Sequence, residues 1–213
     1  MSLHPQTNRI MPMATSTALD KKSLAVLVPI KDFRQAKNRL SDRLNASERE
    51  SLARTMAHRV LTAAAGLSVY VVCDNEEVAD WAKAEGAEAI WVEQQGLNPA
   101  ITEAMGHVQS NFSHVMIVHA DLPHAESLEG IAKPKTVSIV PDRHGQGTNV
   151  LSLPTGTSFK FHYGDTSLYH HMNEAIRQRL DLQVLQIPEL QWDVDTPDDL
   201  DGLVKTSDTR LLK

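Results

Sequence analysis

The residues of this chain that could do chemistry gather at the ends of apolar runs. Leu24-Ala-Val-Leu-Val-Pro-Ile30 is followed by Lys31, Arg34, Lys37 and Arg39, four cations within nine residues. The run His114–His119 ends in Ala120-Asp121-Leu122-Pro123, and a second acidic pair, Asp193 and Asp195, comes late. An apolar run closing at Pro141 opens into the polar loop Asp142-Arg143-His144-Gly145-Gln146-Gly147-Thr148-Asn149, and a further apolar run starts at Val150. Glycines let backbone N–H groups turn toward an anion. Arg143 offers a planar fork of donors, and Thr148 and Asn149 offer neutral hydrogen bonds. A solvated hairpin loop would use the same residues, and a solvated helix face would account for some of the cations. Asp121 at the end of a buried strand is costly unless paired or solvated, and a metal ion would supply the partner. Taken together, the set suits nucleotidyl transfer. That chemistry needs Mg²⁺ on one or two carboxylates to neutralise a triphosphate, and cations for the developing charge and the departing pyrophosphate. It needs no covalent nucleophile, because a phosphate oxygen of a second substrate can attack in line. Lys31 and Arg39 are the expected phosphate contacts.

The elements that must position these groups alternate along the chain. A helix is expected from Asn45 onward with Ser47 as N-cap; Leu52, Met56, Val60 and Leu61 form its core stripe, and Gly66 ends it. A strand over 69–73, a helix over 76–85 and a strand over 87–92 follow. Asn98 is placed to cap a helix from Pro99 to Gln109; the competing reading puts Asn98 and the backbone of Gly96 against a nucleotide. Strands are expected at 114–119, 136–140, 159–161, 182–187 and 192–195. Gly164 and Ser167 precede a helix running through Arg179, and exposed N–H groups at such a start can hold an anion; simple capping by Asp165 or Thr166 is the alternative. His170 and His171 lack metal-ligand spacing and are read as surface or core residues. Thr196 caps the last helix with Pro197 at its first position. This alternation implies a three-layer α/β fold on a mainly parallel sheet, with ligands outside the carboxyl ends of the strands.

Composition sets the bounds. A chain of 213 residues with one domain over 24–207 can bury a full core; residues 1–23 read as a disordered tail and 208–213 as a short C-terminal tail. A net charge of −6 argues against nucleic acid as a partner. No apolar run has the ~20 residues of a membrane span. The single cysteine, Cys73, fits a reducing compartment, so a cytoplasmic location is expected, with a buried inert thiol.

Val28-Pro-Ile-Lys31, Ala36-Lys-Asn-Arg-Leu40, Gly96-Leu-Asn98, Ala120-Asp-Leu-Pro123, Pro141-Asp-Arg-His-Gly-Gln-Gly-Thr-Asn149, Gly164 with Ser167, and Asp193-Val-Asp-Thr-Pro-Asp-Asp-Leu200 together resemble the CofC/FbiD guanylyltransferases. The likeness runs from about Leu24 to Val204. The block from Pro141 to Asn149 is specific, whereas Thr-Pro-Asp-Asp-Leu is shared more widely among nucleotidyltransferases. The resemblance implies a Rossmann-like, GT-A-like nucleotidyltransferase fold. It implies Mg²⁺-dependent transfer of GMP from GTP to phosphoenolpyruvate, 2-phospho-L-lactate or 3-phospho-D-glycerate, on the way to the deazaflavin coenzyme F-420. It also implies a functional link to the enzyme that joins the product to the deazaflavin precursor; pairing into a homodimer is an expectation from small nucleotidyltransferases in general. Carried over by motif, Asp121 and Asp195, with Asp193, would hold Mg²⁺. Lys31, Arg39 and Arg143 would face phosphates. Thr148, Asn149, Gly164 and Ser167 would hold the acceptor, and Gly96, Asn98 and the backbone from Leu27 to Pro29 would lie near guanine. Pro29-Ile-Lys-Asp-Phe stands where sugar-nucleotide enzymes carry a long Gly-rich loop, which weakens that alternative. A molybdopterin- or cytidylyl-type transferase and a non-catalytic nucleotide-binding protein are the other readings.

Overall fold

In the computed structural model, which describes residues 19–205, β1 (Leu24–Pro29) is buried along almost all of its length. Its side chains alternate between two cores, as strand geometry requires. Val26 and Val28 join the cluster made with Val60 of α1 (Ala46–Ala63) and Val78 of α2 (Glu76–Ala84). Ala25 and Leu27 join the cluster on the other face, made with Ile101 of α3 (Leu97–Val108) and Ala175 of α4 (Ser167–Arg177). Helices therefore cover both faces, giving the three layers expected.

The sheet has seven strands: β1, β2 (Ser68–Cys73), β3 (Glu88–Trp91), β4 (His114–Val118), β5 (Thr136–Pro141), β6 (Thr148–Pro154) and β7 (Asp181–Val184), in the order β3-β2-β1-β4-β6-β5-β7. β6 runs antiparallel to β4 and β5, and the other pairs are parallel. The glycine loop at 142–147 is thus the turn of the β5–β6 hairpin. It is closed by Gly145 N–H to the Asp142 carbonyl (3.1 Å) and Gln146 N–H to the Asp142 carboxylate (2.8 Å).

Several local expectations are corrected. Asn45, not Ser47, caps α1: its side chain accepts from Glu48 N–H and the Glu48 carboxylate accepts from Asn45 N–H, a reciprocal pair that outcompetes a lone serine. α3 begins at Leu97 behind Gly96, so Asn98 is inside the helix and its side chain is free for another task. Residues 159–161 form no strand. Backbone N–H groups of this stretch go to side chains instead: Lys160 to Glu174, His162 to His171 Nε2, Tyr163 to Asn98 Oδ1. Residues 192–195 form a loop after a short helix, α5 (Pro188–Gln191), not a strand. The last helix, α6 (Pro197–Lys205), starts behind Thr196 as expected. Residues 1–18 of the expected tail and the C-terminal boundary at 207 lie outside the described residues; Leu19 packs against the core.

Candidate active site

The carboxyl ends of β1, β2 and β4 open onto one cavity of about 730 Å³, lined among others by Pro29, Lys31, Gly96, His119 and Asp121. A space of this size is in the range of small-ligand sites. The segment after β1 crosses its mouth as two 3-10 turns, Phe33–Gln35 and Asn38–Leu40. Phe33 is buried edge-on against Trp81, with the Arg54 guanidinium 4.4 Å over its ring, and Leu40 is buried in a small core with Val194 and Leu200. Pinned at both ends, the segment turns Lys37 inward, with the left-handed backbone φ of 55°.

Lys37 Nζ donates to Asp121 Oδ2 at 2.6 Å and to Asp195 Oδ1 at 2.7 Å. Its side chain is only 10% exposed and that of Asp121 21%, so this arm of the bridge is shielded, while the Asp195 side chain is 46% exposed. Burial works against its charge, but the two carboxylates outweigh burial and hold its pKa above the usual lysine value. Burial likewise opposes ionisation of Asp121, and Lys37, helped by His119, brings its pKa below the usual value. Val194 is fully buried between Asp193 and Asp195, which fixes the loop by its apolar middle and leaves the carboxylates to flank it. Asp193 goes the other way: burial, then the Asp121 charge, pushes its carboxyl up to about 6. Among the described residues, three carboxylates therefore share a site whose bonded ammonium is Lys37. Among the described residues, Asp121 Oδ1 is buried with no hydrogen-bond partner, as are His119 Nε2 and the Tyr163 hydroxyl. Oxygen-only donors with an unmet carboxylate oxygen are the set a hard divalent cation takes. Among the described residues no group of three or more His, Cys, Asp or Glu has a metal-binding arrangement, so remaining ligands would be substrate oxygens and water.

Behind this centre stands a brace. The Asp199 carboxylate accepts from Asp195 N–H (3.0 Å), Thr196 N–H (2.7 Å) and the Thr196 hydroxyl (2.7 Å). Its other oxygen pairs with Arg143, whose guanidinium lies 4.6 Å over the Trp192 ring. Arg143 is thus drawn from the hairpin loop to the loop that carries Asp195.

The remaining site residues divide between wall and interior. Lys31, Pro29 and Gly96 line the cavity; Gly96 has φ 93°, a value that favours glycine. Leu27 is fully buried with its side chain in the core on the α3 side. Arg39 is exposed and is not a lining residue. Asn98 holds Tyr163 by two bonds, Nδ2 to the Tyr163 carbonyl (3.0 Å) and Oδ1 from Tyr163 N–H (2.6 Å). Thr148, Ser167 and His171 form a buried polar cluster: Ser167 Oγ donates to Thr148 Oγ1 (3.3 Å), and His171 Nδ1 lies 3.1 Å from the same oxygen. His171 Nε2 accepts from His162 N–H, so its proton sits on Nδ1 and points at Thr148. Burial keeps this imidazole neutral, its pKa down at about 3. Asn149 is buried with its amide on the Leu190 carbonyl (3.0 Å), and Gly164, φ 127°, stands exposed at the cluster's edge.

A family model described as Guanylyl transferase CofC like matches residues 24–210. The chain belongs to this family. Similar relatives include the 2-phospho-L-lactate guanylyltransferase of Methanocaldococcus jannaschii, 32% identical over 83% of this chain and 80% of that protein. The phosphoenolpyruvate guanylyltransferase of Conexibacter woesei is 34% identical over 85% of this chain and 87% of that protein. Among solved structures, a nucleotidyl transferase from Methanothermobacter thermautotroptrophicus superposes with a TM-score of 0.59 at 13% identity, covering 87% of this chain and 99% of that one. That likeness bears out the nucleotidyltransferase fold expected of a CofC-like chain. Sequence reasoning named Lys37 among the cations but bet on Lys31 and Arg39. The available signal was the apolar spacing of Phe33, Ala36 and Leu40, which turns the segment inward around position 37. Asp199 and His119 stand inside the motifs named above but were given no role of their own.

Proposed function

We propose that this chain transfers GMP from GTP to a three-carbon phospho-acid, releasing pyrophosphate. The product is the activated diphosphate intermediate for the deazaflavin coenzyme F-420. The reading is carried by one observation: in a CofC-like chain, Asp121 and Asp195 converge on a single point at the end of a cavity floored by strand ends. Mg²⁺ held there by these carboxylates would neutralise triphosphate oxygens and stabilise the charge that develops on them. The protein's own groups do the rest. Gly96 and Pro29 leave the wall open to a base, and Lys31 offers a cation to the phosphates. Arg143 acts through Asp199 by fixing the backbone of Asp195. His171 directs its Nδ1 proton to Thr148 Oγ1, which leaves the Thr148 hydroxyl hydrogen to donate onward to an acceptor anion. Bringing a phosphate oxygen of the acceptor in line with the α-phosphorus supplies the catalysis that orientation can give. The partners of this reading are GTP and the phospho-acid.

The test is pyrophosphate release with GTP and Mg²⁺, run in parallel with phosphoenolpyruvate, 2-phospho-L-lactate and 3-phospho-D-glycerate, beside a CTP and ATP panel. Turnover with GTP and one acceptor supports the reading and names the acceptor. Turnover with CTP alone, or GTP binding with no turnover on any acceptor, refutes it.

A further inference from the structure

Lys37 Nζ occupies the point where Asp121 Oδ2 and Asp195 Oδ1 converge. A cation bridging those two carboxylates needs the same point and the same lone pairs. An ammonium and a divalent cation repel and cannot both be there. The lysine satisfies the site incompletely, because Asp121 Oδ1 is left buried and unpartnered. It is also attached in a way that allows it to leave. Its charge sits on a flexible four-carbon stem. Its backbone is held in the left-handed region, which side-chain-bearing residues seldom adopt. The same cavity that holds the bridge is lined by Lys37 itself, so phosphate oxygens bound there are alternative acceptors for a displaced ammonium.

We propose that Lys37 is an internal counter-cation: it holds Asp121 and Asp195 together in the nucleotide-free protein and is exchanged for the divalent ion when a triphosphate arrives. The metal therefore binds with the nucleotide and not ahead of it. This rests on the metal reading of Asp121 and Asp195 given above. Without Lys37 the carboxylates would repel one another, and the site would take up a divalent ion on its own. With Lys37 in place, a divalent ion alone must eject an ammonium from two charged acceptors with no phosphate to receive it. A triphosphate supplies that acceptor.

Mn²⁺ titrations followed by electron paramagnetic resonance test this without turnover, using the full chain with and without α,β-methylene GTP. Wild type is expected to take up Mn²⁺ weakly alone and tightly with the analogue. Lys37→Met and Lys37→Gln are expected to bind Mn²⁺ alone at least tenfold more tightly than wild type. Equal nucleotide-free affinities in wild type and variants overturn the proposal while leaving the metal reading intact. No Mn²⁺ uptake by wild type even with the analogue overturns both. Should neither variant fold, the unmutated protein still decides. The ¹⁵N–¹H resonance of the buried Lys37 ammonium is expected to shift on adding Mg²⁺ with the analogue and to stay put with Mg²⁺ alone. An equal shift with Mg²⁺ alone overturns the proposal.

Discussion

Asp199 does not itself line the cavity, and replacing it by alanine removes the brace behind Asp195, which does. Three donors lose their acceptor at once: Asp195 N–H, Thr196 N–H and the Thr196 hydroxyl. A fully buried orphaned donor costs about 1–3 kcal/mol. Asp195 and Thr196 are only partly buried, so water repairs some of the loss, and about 1 kcal/mol for each backbone N–H is the appropriate figure. Losing the Arg143 pair adds about 1 kcal/mol, since Arg143 is partly exposed and can be resolvated. The sum is about 3 kcal/mol, or about 6–12 °C in Tm for a chain of this size. The deficit depends on pH. Burial pushes the Asp199 carboxyl up, but Arg143 and Thr196 outweigh it and hold it below the usual carboxylate value. Stability from a depressed carboxyl is present above its unfolded pKa of about 4 and is lost as pH falls through the folded value. The Tm gap between wild type and Asp199→Ala is therefore widest at neutral pH and narrows below about pH 4. Thermal unfolding from pH 8 down to pH 3, with kcat measured alongside, checks this. A kcat loss of at least tenfold, about 1.4 kcal/mol, is expected from the loosened Asp195. A Tm within about 2 °C of wild type at pH 8 with kcat unchanged would refute the brace.

Arg143→Ala combined with Asp199→Ala is expected to be no worse than Asp199→Ala alone, within about 0.5 kcal/mol, because both act through one network; additive losses would return Arg143 to direct phosphate contact. Asp121→Asn should lower kcat at least 100-fold, about 2.7 kcal/mol, in the pyrophosphate assay, and an unchanged rate would refute the proposed metal role. Glu174→Gln should cost about 1–2 kcal/mol at pH 7, because Glu174 accepts from Arg177, Gln178 and Lys160 N–H. The Glu174 carboxyl is held down at about 2, chiefly by Arg177, so this advantage of wild type should fade as pH falls from about 4 toward about 2 in chemical denaturation. Gly202→Ala should destabilise by about 1–2 kcal/mol despite the usual helical gain over glycine. Its Cβ would clash with Trp192 Cζ2 and Cη2, and the indole is held in place by the Arg143 guanidinium 4.6 Å from its ring. A raised Tm would show that the indole can move.

The parts of the fold legible in the sequence were those governed by local pattern. Leu24–Ile30 announced a doubly buried strand by its unbroken apolar run, and Thr196-Pro197 announced the last helix by its cap. What failed depended on distant partners. Asn98 looked like a cap because Pro99 follows it, yet its amide serves Tyr163, 65 residues away. Phe159–Phe161 read as a strand by composition, but no neighbouring strand takes its hydrogen bonds. The site followed the same division. Asp121 and Asp195 stood out because a strand-end carboxylate needs a partner. Which cation answers them could not be read, since Lys31, Lys37 and Arg39 differ only in how the chain turns between Phe33 and Leu40.

The stretch from Lys160 to Tyr163 is tied down by side chains of two helices. A strand leaves its ladder only when its neighbours yield with it, whereas these ties (Glu174, His171 and Asn98) can each let go by a single rotamer change. Amide hydrogens of Lys160, His162 and Tyr163 will then exchange with solvent through local openings, while those of Val115–Val118 in the middle of the sheet wait for global unfolding. Thr148 and Ser167 are buried, and Thr148 is linked to this stretch through His171. The molecule thus carries, tied to this buried polar cluster through His171, a segment whose opening free energy can be tuned one tie at a time without altering the sheet.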